Sequence, residues 1–338
     1  MSKLPIPRRA WLAGVAGITG ALLLPQFAVA QGAVSGNLML YTSQPDKDVK
    51  GTIGEFNKKY PDVKVDVFRS GTTEVLNKLR TEFTAGAPQA DVVLLADSVS
   101  MEALKKDGRL MPLAKADVSG IHPAFYDKDK TYIATKLITT GIVVNTKARF
   151  KPTSWKDLVN PELKNQLAMP SPLYSGAAAI SLGAWLADPT LGGWSYVEGL
   201  KANGAVAVRG NGAVLQQVAN GEKAAGVLVD FMALNAKAKG SPVEFVIPKE
   251  GLTFVTEPVA VLKTAKNIPA AEAFVNFLLS QEGQVFSTTL GYVPILNGVK
   301  PPAGYPAADQ MKFMPLDTVR ILEGIEPNKK RFGDIFGG

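Results

Sequence analysis

The residues best placed to do chemistry in this chain lie in Pro170–Trp185, PSPLYSGAAAISLGAW. A short extended segment ends at Ser175 and turns into an alanine-rich helix. Ser175 is a good N-cap, since its hydroxyl can accept a bond from a free amide in the first turn. Gly176 and Ala177 have almost no side chain to cover the amides that follow. Such a start offers bare N–H donors and the positive end of the helix dipole, which suit an anion. An ordinary capped helix has the same signature, so the surrounding elements must decide. Other chemistries are poorly supplied. The chain has no Cys and one His, His122, in a loop-like GIHPAF stretch. That argues against a zinc site, which draws on thiolate and imidazole. No G-x-S-x-G elbow and no nucleophile–base pair is evident, which argues against a secreted hydrolase.

The elements that must position Ser175 follow a repeating β–α order. Asn37–Tyr41 reads as a buried strand, followed by the hydroxyl-rich loop Thr42-Ser43-Gln44-Pro45 and a helix that Pro61 stops. Val63–Phe68 alternates as a second strand. Ser70-Gly71-Thr72-Thr73 then leads into a helix ending near Thr84. Ala90–Leu95 is apolar throughout, as expected where helices cover both faces of a sheet. Ala96-Asp97-Ser98 caps a helix ending near Gly108. In open α/β sheets, ligands bind at the carboxyl edge of the strands. Tyr41–Ser43, Gly71–Thr73 and Ala96–Ser98 therefore face one crevice.

A second α/β unit is expected over residues 138–252. Its strands are Thr139–Asn145, Leu167–Pro170, Val206–Arg209 and Ala225–Val229. Gly210-Asn211-Gly212 and Asp230-Phe231-Met232 sit at strand ends. Phe254–Val261 crosses back, carrying Thr256 and Glu257. The helix Ala270–Leu279 and the segment Gly291–Ile295 rejoin the first unit, and Met311–Phe336 packs outside as helices.

Residues 1–30 read as an export signal. Lys3, Arg8 and Arg9 form a basic head, an apolar run follows, and Ala28-Val29-Ala30 suits a signal peptidase. Arg8-Arg9-Ala10-Trp11-Leu12 resembles a twin-arginine signal, but paired arginines also occur in plain secretory signals. These residues include three basic and no acidic side chains, so their removal lowers the formal charge from +7 to +4. No basic run with interleaved aromatics is present, so nucleic acid is not expected as a partner.

Seven stretches together resemble a known family: LMLYTSQ, QADVVLLAD, GIVVNT, PSPLYSGAAA, NGAVLQQVANGEKAAG, EAFVNFLLSQEGQ and GYVP. The chain resembles the periplasmic solute-binding proteins of ABC importers, in the branch of ferric-ion, phosphonate and sugar-phosphate binders. The resemblance implies a two-lobed α/β fold of type II, with a mixed sheet flanked by helices in each lobe and a hinge of crossing strands. Lobe 1 would comprise residues 31–137 plus 253–300 and lobe 2 residues 138–252, with 301–338 a C-terminal helical segment packing on both. It also implies a monomer, no cofactor, and delivery of the ligand to an inner-membrane permease.

In ferric-binding members an anion is held by a Ser-Gly-Ala helix start and an Asn of the second lobe. Ser175, Gly176, Ala177 and Asn211 match those positions. The paired tyrosine ligands of iron fall at Phe231 and Met232. The resemblance thus implies that an anion seat is kept and a hard-metal seat is lost. Ser43 and Thr72 would add hydroxyls to that seat. The expected ligand is a phosphonate or phosphate ester, such as 2-aminoethylphosphonate. Asp97, Asp230 and Glu257 are the candidates for its amine or polar end. Asp97 and Asp230 could equally be helix caps, and Glu257 could be satisfied by a lysine. Tyr41, Tyr174 and Phe231 are candidate pocket walls, or simply core. A ferric-ion or polyamine binder of the same fold is the competing reading.

Overall fold

The computed structural model describes residues 34–302, 305, 311–316 and 318–337. The export signal expected at residues 1–30 lies outside them. Among the described residues, no helix is long and apolar enough to cross a membrane.

The strands form two sheets. In the first, β1 (Gly36–Thr42), β2 (Val63–Arg69) and β3 (Val92–Leu94) run parallel in the order β3-β1-β2. A fourth strand, β10 (Val259–Val261), joins β3 antiparallel. The second sheet repeats this pattern. Here β5 (Leu167–Pro170) lies between β6 (Val206–Val208) and β7 (Ala225–Val229), all parallel. A long strand, β4 (Ile138–Asn145), pairs antiparallel with β7. The far side of β4 is shared by β8 (Val243–Val246) and β9 (Thr253–Val255).

Each parallel strand feeds a helix because a parallel neighbour requires a crossover. These helices are α1 (Asp46–Lys59), α2 (Thr72–Thr84) and α3 (Ser98–Lys106) on the first sheet. On the second they are α4 (Gly176–Ala187), α5 (Trp194–Ala202), α6 (Asn211–Ala219) and α7 (Asp230–Ala238). With helices on both faces, β3, β4, β5 and β7 are buried along their whole length. That explains why β3, β5 and β7 read as continuous apolar runs rather than alternating ones. The first ten residues of α4 are all buried, since this helix is wedged rather than laid on a surface.

Two segments join the sheets. One runs into β4, with Ile133 bridged to Val259 of the first sheet. The other returns from β9 to β10 through residues 256–258. They are tied together, as the Thr135 and Lys136 amides both donate to Thr256 O at 3.2 and 3.3 Å. The return comes later than expected, because Thr253–Val255 still pairs with Ile138–Thr140 of the second sheet. Helices α8 (Ile268–Leu279) and α9 (Gln281–Thr289) then cover the first sheet, where Phe274 and Phe277 pack around Phe56.

The C-terminal segment is not helical throughout. Met311–Leu316 runs extended beside Leu252, with the Leu252 amide donating to Lys312 O and the Met314 amide to Leu252 O, both at 2.8 Å. One helix follows, α10 (Thr318–Phe336). Phe332 sits in the core of the second sheet, and Lys329 reaches Thr73 of α2 at 3.2 Å. Thus α10 touches elements of both sheets.

Candidate functional site

A cavity of about 530 Å³ lies between the carboxyl edges of the two sheets. It is built from strand ends and helix starts, as an open α/β architecture dictates. The end of β1 contributes Ser43, and the turn from β2 to α2 contributes Arg69, Ser70, Gly71 and Thr72. Across the cavity, the turn into α4 contributes Tyr174, Ser175, Gly176 and Ala177, and the turn from β6 to α6 contributes Arg209–Ala213.

Five helices therefore begin at the cavity wall, α1 at Asp46, α2 at Thr72, α4 at Gly176, α6 at Asn211 and α7 with Phe231 in its first turn. The Ser175 hydroxyl accepts from the Ala178 amide at 3.3 Å, so Ser175 is the N-cap of α4. Among the described residues, the Gly176 and Ala177 amides have no acceptor. Helix α6 is capped by Gly210, which has no side chain to offer, so the Asn211 and Gly212 amides are also left open. The buried Asn211 Oδ1 and Ser43 Oγ have no partner among the described residues either. No acidic residue occupies the first turn of α4 or α6. The positive end of the α6 dipole is thus uncompensated by its own first turn, whereas the buried Asp97 carboxylate lies against the start of α4.

Two glycines set how closely the sheets approach. A Cβ on Gly71 would lie 2.7 Å from the Tyr174 carbonyl oxygen. A Cβ on Gly176 would overlap the Asp97 carboxylate and lie 3.0 Å from Thr72 Oγ1. Only glycine lets the starts of α2 and α4 meet here. Arg209 and Glu74 form an ion pair between the β6 edge and α2. The Arg209 guanidinium stands over the Tyr174 ring, 5.4 Å from its centroid. Glu74 also accepts from Ser70 Oγ and from the Gly71 amide at 3.1 Å. The Ser70 hydroxyl is the main cause that holds its pKa below the usual carboxylate value.

Of the residues expected at the site, Ser43, Thr72, Ser175, Gly176, Ala177, Asn211, Tyr174, Phe231 and Glu257 line this cavity. Three do not. Tyr41 turns into the core of the first sheet, donating from its hydroxyl to Glu82 Oε1 at 2.7 Å and packing on Phe68. Burial pushes its phenol up to about 12. It sits one residue before the strand end, where the pleat directs it at α2 rather than at the edge. Asp97 lies behind Gly176 as the buried N-cap of α3, accepting from the Ser100 amide at 2.7 Å and Ser100 Oγ at 3.1 Å. Burial raises its pKa.

Asp230 also points away. Its carboxylate accepts from the Thr139 amide at 3.1 Å, Thr139 Oγ1 at 2.7 Å and the Phe231 amide at 2.7 Å. It fixes α7 to β4 and lines a separate cavity of about 200 Å³. Desolvation outweighs those three donors and raises its pKa to about 7. Glu257 does line the main cavity, but it is ion-paired with buried Lys136. Lys136 in turn stands 4.4 Å from the Tyr292 ring centroid, and the Tyr292 hydroxyl donates to Asp48 Oδ2 at 2.7 Å.

Arg69, Glu74, Arg209 and Tyr292 were not expected at the site, yet all line it, and Met232 lines it beside Phe231. A signal for two of them exists. Arg69-Ser70-Gly71-Thr72 and Arg209-Gly210-Asn211-Gly212 each place an arginine directly after a strand and small residues at the helix start. Arg69 is partly committed, since its Nε donates to Gln44 O at 2.8 Å. Among the described residues, no group of three or more His, Cys, Asp or Glu side chains could hold a metal ion.

Two α/β sheets joined by crossing segments, with a helix-lined cavity between their strand ends, define a periplasmic binding protein fold. Solved structures share it. The periplasmic binding protein AfuA from Actinobacillus pleuropneumoniae, with fructose-6-phosphate bound, superposes with a TM-score of 0.80 at 23% identity, covering 89% of this chain and 99% of that one. Iron-bound HitA from Pseudomonas aeruginosa gives 0.76 at 21% identity, covering 88% and 99%. The chain belongs to the bacterial extracellular solute-binding protein family, whose model matches residues 41–285. An uncharacterized Haemophilus influenzae protein is 30% identical over 284 residues, covering 79% of this chain and 80% of the relative. The spermidine/putrescine-binding periplasmic protein 1 of the same organism is 28% identical over 315 residues, covering 84% and 85%. Proteins of this family bind small molecules outside the cytoplasm and deliver them to a membrane permease.

Proposed function

We propose that this chain is the binding component of an ABC importer for a small solute carrying a phosphoryl or phosphonate group. It would act as a monomer and without catalysis, the two sheets serving as lobes that close on the ligand. The observation that carries this reading is the convergence of the α2, α4 and α6 starts and two arginines on one cavity. Open amides on α4 and α6, with Arg69 and Arg209 beside them, supply donors and positive potential for an oxyanion.

The relatives' names are divided between polyamines and iron, so the lining must decide. A polyamine needs uncommitted carboxylates. Glu74 is tied to Arg209 and Glu257 to Lys136, which leaves Asp46 as the uncommitted acid on the wall. Ferric iron needs several oxygen ligands. Phe231 and Met232 offer none, and the Tyr292 hydroxyl is engaged by Asp48. The same count weakens 2-aminoethylphosphonate within the phosphonate class, since Asp97 and Asp230 are used internally.

Calorimetry with inorganic phosphate, methylphosphonate, 2-aminoethylphosphonate, glucose 6-phosphate, putrescine and ferric citrate tests the proposal. Heat is expected from the phosphoryl or phosphonate compounds. Binding of putrescine or ferric citrate alone would overturn it.

A further inference from the structure

The strand order fixes position along the cavity. β2 and β6 are the edge strands on one side of their sheets, whereas β4, β9 and β10 lie on the opposite side, where the chain crosses between sheets. The open amides described above belong to the β6 end or the middle, those of Asn211 and Gly212 after β6 and those of Gly176 and Ala177 after β5, and Arg69 at the end of β2 and Arg209 after β6 lie on the same side. The crossing end is different. Ile138, Val229, Phe231, Met232, Val255 and Tyr292 line it and pack into one apolar cluster. The Phe231 and Tyr292 rings stand 4.4 Å apart.

The polar groups at that end are already satisfied. The Tyr292 hydroxyl serves Asp48, and Glu257 is ion-paired with Lys136. A polyhydroxylated body placed there would strand its hydroxyls away from water. An ammonium would meet a carboxylate whose charge is cancelled.

We propose that the ligand is amphiphilic, with its phosphoryl or phosphonate group at the helix starts and an apolar ring or alkyl body against the Phe231–Met232–Tyr292 end of the cavity. This rests on the anion-binding reading, and the test separates the two.

Affinities of the purified protein are measured for methylphosphonate, phenylphosphonate, 2-aminoethylphosphonate and glucose 6-phosphate at one ionic strength. Phenylphosphonate is expected to bind at least about tenfold tighter than methylphosphonate, and tighter than the other two. Met232→Gln, close in volume but polar, is expected to lower the phenylphosphonate-to-methylphosphonate affinity ratio by about tenfold. Tighter binding of glucose 6-phosphate or 2-aminoethylphosphonate than of phenylphosphonate would overturn the inference while leaving the anion reading intact. So would an unchanged ratio in Met232→Gln. Failure of all four to bind would overturn the anion reading itself.

Discussion

Gly176 lacks a side chain where the start of one sheet's helix meets the cap of another's. Gly176→Ala would push a methyl group into Asp97 and Thr72, so the two sheets could not approach as they do. Overpacking of this kind costs about 1–3 kcal/mol. We expect phosphonate affinity to fall by roughly ten- to a hundredfold and the urea midpoint to fall with it, measured by calorimetry and urea unfolding. Asn211→Ala should weaken phosphate and methylphosphonate alike, because it strips a side chain from the anion end. Asp230 makes a prediction of opposite kind. Its folded pKa of about 7 lies above the ordinary 3.8, so the folded state holds a proton that the unfolded state releases. Its contribution to stability is therefore fully present below about pH 4 and is lost as pH rises to about 7. The change is on the order of 4 kcal/mol across that window. Urea unfolding of the wild type and Asp230→Asn at pH 4.5 and pH 8 (roughly either end of the window) should give a stability difference that moves with pH. A constant difference would show that Asp230 does not titrate there. At this scale the sequence was a partial guide. Ser175, Gly176 and Asn211 stand on the cavity wall, where the helix starts that follow parallel strands collect. Asp97, also after such a strand, turned inward to cap its own helix.

Among the elements, α4 and α10 determine whether the cavity keeps its shape. α4 is buried nearly all round, and α10 supplies much of that cover, with Ile321 against Gly183 and Phe332 in the second sheet's core. Phe332→Ala should cost about 3–5 kcal/mol, read as a lower urea midpoint with an unchanged slope. Arg209 and Glu74 join the β6 edge to α2 across the mouth, yet both are partly exposed, at 73% and 28% of the side chain. Such a pair contributes at most about 1 kcal/mol, so it orients the mouth rather than holding it shut. Arg209→Ala should accordingly leave the melting temperature nearly unchanged while weakening methylphosphonate by about tenfold. Most strands and most helices were legible from periodicity and stop signals. Strand β8 and helices α5, α7 and α9 were not, since each is short, at four to nine residues, and too brief to show a clear period.

For the whole molecule, the two sheets share one plan: three parallel strands, then an antiparallel strand that carries the chain across. Each sheet therefore presents the same edge to the gap, and a ligand seated there contacts both. Ligand binding should raise the melting temperature by linkage, and saturation at a hundred times Kd corresponds to about 2.7 kcal/mol. Closure should break or remake the Arg209–Glu74 and Gly71–Tyr174 contacts together, with a smaller scattering radius in the bound form. An unchanged radius would argue that the gap is rigid.

By itself the sequence determined the alternation of strands and helices, the side of the sheets on which small polar loops collect, and the helix start at Ser175. These follow from local rules: residue size, hydrogen-bond capacity, and the period of apolar residues. Only the tertiary structure decided which carboxylates were left for a ligand. Along the chain Asp97, Asp230 and Glu257 were each open to a ligand or to a structural partner, and each is satisfied by a partner from another segment or by its own buried helix cap. That choice depends on through-space packing and desolvation, which no stretch of residues records.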